Sequence, residues 1–243
     1  MKRLTLFTIL LTTLFHCCLG QQAKMSYTRQ RKVNAFNQVF ELRQGCLLVM
    51  LHMAQNKIDA LEKMERKTEA VTFRNQQIVK NQSIIAAFKN NFNFCPVYFF
   101  FTSEALKFLE YGPDSVSFVD SNLTIDTSIH IRNKKYFVAE FNKIQDDTTG
   151  YAKRHHTSPG NTQTYQTVSS STSQAFIIES KNLIQLKSPF PNFVSITETD
   201  EKIVFVESVV QRINKDLYKF EMKAKKKILN PRFSPYFQDK LSN

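Results

Sequence analysis

The clearest periodic pattern in the chain lies near its end, where Val206, Val210, Ile213, Leu217, Phe220, Ala224 and Ile228 recur at intervals of three and four. That spacing predicts an amphipathic helix. Ser208 and Gln211 have capping-box spacing, and Asn230-Pro231 supplies a stop. A second helix is expected over Met25 to Gln44, from the spacing of Val33, Phe36, Val39, Phe40 and Arg43. Residues 54–91 lack Pro and Gly and place Val71, Ile78, Ile85 and Phe92 at intervals of seven, with Phe88 between the last two. This reads as helix whose apolar face packs on its own sheet rather than on a coiled-coil partner. A single rod of that length would exceed about 50 Å, so a break is expected near Glu65 to Thr68, giving two antiparallel helices.

Short apolar runs separate these helices. Gly45 opens Cys46 to Leu51, a run that suits a strand buried on both faces, and His52 ends it. Cys95 to Phe101 reads as a second strand, with Pro96 near its start, where a missing N–H is tolerated. Ser103 is placed to cap a short helix, Glu104 to Tyr111, which stops at Gly112-Pro113. Ser115 to Val119 would be a third strand ending at Asp120, and Tyr136 to Phe141 a fourth. Ala175 to Glu179 and Leu183 to Leu186 suggest a hairpin across Ser180-Lys181-Asn182, ended by Pro189 and Pro191. Successive strand, helix, strand units predict right-handed crossovers. The expected class is therefore α/β: a mixed, partly parallel sheet with an inserted helical hairpin and a C-terminal basic amphipathic helix. Residues 146–174 hold Thr, Ser, Asn, Gln and Gly with almost nothing apolar, and are expected to form a flexible polar loop. The element order also resembles a thioredoxin-like sheet, but with no CxxC this is fold-level analogy alone.

The first twenty residues have the parts of a signal peptide: Lys2 and Arg3, the apolar run Leu4 to Phe15, and Gly20 before Gln21-Gln22. Residues 1–20 are expected to be removed, leaving residues 21–243 as a single domain, periplasmic or secreted, with no transmembrane helix. Cys17 and Cys18 are poor lipid-attachment sites, because His16 rather than a small residue precedes Cys17. Cleavage discards both.

An apolar fraction of 42% is enough for a real core, and 22 Phe with no Trp make that core aromatic. Beyond the leader only Gly45, Gly112, Gly150 and Gly160 remain, too far apart for GxGxxG or the phosphate loop. Nucleotide binding by those motifs is excluded, and no cofactor is implied. The formal charge of +12 falls by two when Lys2 and Arg3 are lost, to +10. From Val209 onward there are nine Lys plus Arg against three Asp plus Glu, so most of the excess lies in the last helix and tail.

The segments Phe92-Asn93-Phe94-Cys95-Pro96-Val97-Tyr98-Phe99-Phe100, Asn122-Leu123-Thr124-Ile125-Asp126 and Leu186-Lys187-Ser188-Pro189-Phe190-Pro191 together resemble uncharacterised exported proteins of Bacteroidota. The likeness covers most of the chain beyond the leader. It implies export and a bacterial envelope; that group has no known activity, so it brings no catalytic or binding residue.

Three constellations are candidates for chemistry. Cys46 and Cys95 stand at the starts of neighbouring strands, where a disulfide, two buried thiols, or a redox thiol at Cys95 are the alternatives. No CxxC is present to lower a thiol pKa. His52, Thr102, Ser103 and Asp120 close the first three strands, and ligands of open α/β sheets gather at the carboxyl ends of strands. They offer a base, hydroxyls and a carboxylate, but Ser103 lacks the flanking glycines of a nucleophile elbow, and a cap is its plainer role. Lys219, Lys223, Lys226 and Lys227 lie on the last helix, either as a solvated face or as a contact for an acidic surface such as anionic lipid or polysaccharide. Nucleic acid fits an exported protein poorly, despite the charge. His155-His156 without a third ligand does not make a metal site, and Glu62, Glu65 and Glu69 interleaved with lysine and arginine read as a solvated face. The reading these features favour is an exported, non-catalytic binding or interaction protein of the bacterial envelope, with an acidic surface or an envelope protein as partner. The alternative is a secreted enzyme, hydrolytic at His52, Ser103 and Asp120 or thiol-dependent at Cys95.

Overall fold

Helix α1 (Tyr27–Gln44) turns Val33, Phe36, Val39 and Leu42 inward and ends at Gly45. Glycine is required there because a Cβ would lie 2.0 Å from the Lys135 carbonyl oxygen. The chain passes straight into strand β1 (Cys46–Leu51), whose six residues are all buried. The computed structural model describes residues 26–131, 134–144, 154–158, 161–165, 174–196, 202–230, 233 and 237, and only the backbone at 154–158, 161–165 and 202–205. The expected leader lies outside the described residues.

After β1 come α2 (Gln55–Lys63) and α3 (Lys67–Asn91), the expected helical hairpin, broken where Glu65 takes a left-handed φ of 60°. The heptad only partly describes the buried face of α3. Ile84, Ile85 and Phe88 are buried, but Val71 is half exposed, and the middle of the face carries the buried amides Gln77 and Asn81. Then follow β2 (Val97–Phe101), a 3-10 turn at Thr102–Glu104, α4 (Ala105–Tyr111), β3 (Phe118–Val119) and β4 (Tyr136–Lys143). The hairpin β5 (Arg154–Ser158) and β6 (Asn161–Tyr165), the strands β7 (Gln174–Glu179) and β8 (Phe193–Ser195), and the long helix α5 (Lys202–Ile228) complete the elements among the described residues.

The main sheet has the order β3-β2-β1-β4-β7-β8, with β2, β1 and β4 parallel and the flanking strands antiparallel. The α/β class with a mixed, partly parallel sheet is thus observed. Alternation along β1 divides the core, as the pleat demands. Leu47, Val49 and Leu51 face the layer formed by α1, α3 and α5, while Cys46, Leu48 and Met50 face α4 and the segment around Val116 and Ile131. Phe108 of α4 stacks on Phe100 of β2 at 5.3 Å between ring centroids.

Four expectations need correction. The third strand is only two residues long and runs antiparallel to β2, pairing Phe99 with Val119 and Phe100 with Phe118. Part of the segment expected as a flexible loop is the ladder of β5 and β6, in which Ser158 pairs with Asn161; the alternating threonines Thr157, Thr162 and Thr164 around Pro159-Gly160 carried that signal. The hairpin after β7 closes through a single bridge, Glu179 to Gln185, and the longer partner of β7 is β8. Ser208 does not stand at a helix start, because α5 begins at Lys202 and residue 208 lies in its interior.

Two turns share one design. Asp120 to Thr124 and Ser180 to Ile184 each close with an N–H to carbonyl bond, 2.8 and 2.9 Å, and each places an Asn-Leu pair so that the leucine is left-handed, with φ 63° at Leu123 and 55° at Leu183.

Candidate functional site

Strand order reverses between β1 and β4: the chain leaves β1 toward β2, then returns with β4 on the far side of β1. The carboxyl ends at such a reversal are where open α/β sheets hold ligands. His52 stands there. Its Nε2 lies 2.9 Å from Glu140 Oε2, and the other Glu140 oxygen accepts a 2.6 Å bond from Asn142 Nδ2. Glu140 is 6% exposed, while the His52 side chain is 39% exposed. The backbone below is clamped as well, since the His52 carbonyl accepts bonds from Gln77 Nε2 (2.7 Å) and Asn81 Nδ2 (2.9 Å). These are the two buried amides of α3. Asn81→Ala leaves that carbonyl short of a donor and is expected to lower stability by about 1–2 kcal/mol in urea unfolding; an unchanged midpoint would show that the clamp is dispensable.

Glu179 lies on the same face of the sheet as Glu140, directly opposite Val138. It is 1% exposed. Burial, reinforced by the charge of Glu140, raises its carboxyl from 4.5 to about 7.

The structure does not bring His52, Ser103 and Asp120 together. Because β3 is antiparallel, Asp120 lies beyond Val119 at the starting end of β2, whereas His52 and Thr102 lie past its finishing end. Four strand positions separate those levels, about 13 Å at ~3.3 Å per residue. Asp120 Oδ1 is occupied by its own turn, accepting the backbone N–H groups of Asn122 (2.8 Å) and Thr124 (2.9 Å). Thr102 donates its hydroxyl to the Leu51 carbonyl at 3.4 Å, and Ser103 is exposed in the 3-10 turn rather than capping a longer helix. The ring of His52 is paired with Glu140, a residue sequence reasoning passed over. Its signal was a lone acid inside the apolar run Phe137 to Phe141.

Cys46 and Cys95 are free, buried thiols. Cys46 belongs to the core on the α4 side and Cys95 to the core on the α1, α3 and α5 side, so the sheet itself stands between them. Burial pushes Cys46 up to about 11, and burial together with Cys46 pushes Cys95 higher still. Burial holds both thiols in the protonated form near neutrality, which argues against a redox role at Cys95. His155 and His156 fall in β5, whose side chains lie outside the described residues. Among the described residues no group of three His, Cys, Asp or Glu is placed to hold a metal ion, and no helix is long and apolar enough to cross a membrane.

The other candidate is the lysine face of the last helix. Val209, Val210, Ile213, Leu217, Phe220, Ala224 and Ile228 hold α5 to the core. Phe220 packs 5.5 Å from Phe36 and 6.1 Å from Phe190. Opposite that face an open groove runs along Tyr218, Lys219, Met222, Lys223, Lys226 and Lys227. Lys215, Lys219, Lys223 and Lys227 succeed one another four residues apart. Arg212 pairs with Asp216 and Lys225 with Glu221, but among the described residues no carboxylate lies within 4.0 Å of those four or of Lys226.

Like charges four apart destabilise a helix by about 0.2–0.5 kcal/mol per pair. The negative end of the helix dipole offsets this for Lys226 and Lys227 in the last turn, yet not for Lys215, Lys219 and Lys223 further in. Lys215, Lys219 and Lys223 therefore sit on α5 at a small electrostatic cost. Comparison with protein-family models, with curated proteins and with solved structures finds no match.

Proposed function

We propose that this is an exported, non-catalytic binding protein of the bacterial envelope that docks on an acidic surface through the lysine stripe of α5. The observation that carries the reading is the stripe itself: four lysines in succession at helical spacing, without carboxylate partners among the described residues, on a helix whose other face is committed to the core. The leader-like pattern of residues 1–20 and the resemblance to exported Bacteroidota proteins support the location. The separation of Asp120 from His52 and the raised thiols argue against the enzymatic alternatives built on those residues.

The test uses immobilised alginate, an anionic polysaccharide with no apolar phase, as the acidic surface. Lys219→Gln with Lys223→Gln is compared with Lys63→Gln and Lys107→Gln, exposed lysines on α2 and α4 whose loss changes net charge equally. At about 1 kcal/mol for each lysine near an anionic surface, the α5 pair should weaken binding roughly 30-fold at low salt and the control pair far less. Binding should also fall between about 50 and about 200 mM salt, because the added ions shorten the range over which the lysines attract an anionic surface. Equal losses in the two pairs would reduce the effect to net charge and remove the docking face; no binding at low salt to alginate or to anionic vesicles would remove it outright.

A further inference from the structure

The lysine stripe is not purely polar. Lys219, Met222, Lys226 and Leu229 fall at i, i+3, i+7 and i+10, a single line along the outer face of α5 and the turn that follows it. Met222 is 54% exposed and Leu229 76% exposed. They lie seven residues apart, two helical turns, each between lysines: Lys219 and Lys223 beside the first, Lys225 and Lys226 preceding the second. Across the helix Phe220, Ala224 and Ile228 are buried, so Met222 cannot turn inward without unseating α5, while Leu229, in the turn past the helix, borders a groove shared with Phe40, Arg43 and Gln44 of α1. A scattered exposed leucine or methionine needs no explanation. Two on one line, spaced by whole turns and flanked throughout by lysine, match the composition of a helix that lies flat in a bilayer interface, with ammonium groups on lipid phosphates and apolar side chains below them. The alkyl stems of the lysines add apolar length while their heads stay at the phosphate level.

We infer that the partner of this face is an anionic phospholipid bilayer, into which Met222 and Leu229 insert while Lys219, Lys223, Lys226 and Lys227 hold the headgroup phosphates. The inference rests on the docking reading above and names its surface: an anionic polysaccharide would engage the lysines and leave the two apolar side chains in water. A second copy of this chain is a poor occupant, because the same face carries the same charge and two copies would set lysine against lysine.

The chain contains no tryptophan, so Met222→Trp or Leu229→Trp introduces a single emitter at the proposed contact. With vesicles containing phosphatidylglycerol the emission of either variant should shift to the blue and be quenched by lipids brominated on their acyl chains; Lys63→Trp on α2 should show neither. Met222→Gln with Leu229→Gln, both at exposed positions where folding is not at stake, should weaken vesicle binding by about tenfold or more and leave alginate binding unchanged. If vesicles bind but the emission does not shift, or the paired glutamine variant binds them as the parent does, insertion is wrong and charge alone makes the contact. If alginate is bound through the lysines and vesicles are not, the bilayer is wrong while docking stands. If the glutamine variant instead abolishes self-association of the protein, the apolar line is a subunit contact and the inference falls.

Discussion

Glu179→Gln should make the protein more resistant to urea at about pH 8 while leaving it nearly unchanged at about pH 5. The carboxyl of Glu179 is raised from 4.5 to about 7, first by burial and then by the charge of Glu140 on the neighbouring strand. A carboxyl whose folded value lies above its unfolded value keeps a proton in the native state that the unfolded chain has already released. Its contribution to stability is therefore complete below about 4.5, declines as pH rises, and is lost once pH passes about 7. The loss across that window is on the order of 2–3 kcal/mol. Glutamine keeps the shape and cannot ionise, so the variant should lose much less stability over the same range. Parallel pH profiles for parent and variant, read from urea midpoints, would mean that Glu179 does not ionise differently in the two states.

Phe88→Ala should be the most damaging single truncation in the layer between the helices and the sheet. Phe88 is 1% exposed and joins three elements, with ring centroids 5.4 Å from Phe92 just past its own helix, 6.0 Å from Phe99 on β2 and 5.4 Å from Phe176 on β7. Removing the ring leaves a cavity that neither strand can follow inward, since both are held in the sheet ladder. A loss of about 3–5 kcal/mol is expected, which for a chain of this size lowers Tm by roughly 10 °C. Phe88→Leu, which refills most of the space, should cost about half as much or less. A loss under about 1 kcal/mol for the alanine variant would show that the aromatic contacts are not what joins α3 to the sheet.

The contrast between these two residues shows which parts of the molecule could be read from the chain. Phe88 was identifiable because an apolar residue at helical spacing declares its own burial, and the same is true of β1, of α1 and of the break near Glu65. Glu179 and Glu140 gave only a weak signal: a carboxylate is buried by what folds over it, and that depends on strand register rather than on neighbours in sequence. Gln77 and Asn81 were hidden for the same reason, since their partner is a carbonyl 25 or more residues away. The direction of β3 was the expectation with the greatest consequence. Its apolar residues look alike whichever way the strand runs, and reversal carried Asp120 from the edge shared by His52 to the opposite end of the sheet. The lysines needed no fold to be noticed. What the structure added is their arrangement around Met222 and Leu229.

The sheet ends in very short strands: β3 has two residues on one side and β8 three on the other. An edge of that length offers few free backbone groups for another chain to pair with. A protein gathered on a surface meets its own copies at far higher local concentration than in solution, where exposed edges zip together and precipitate. On the docking surface proposed above, blunt edges would let many molecules sit side by side without polymerising across it.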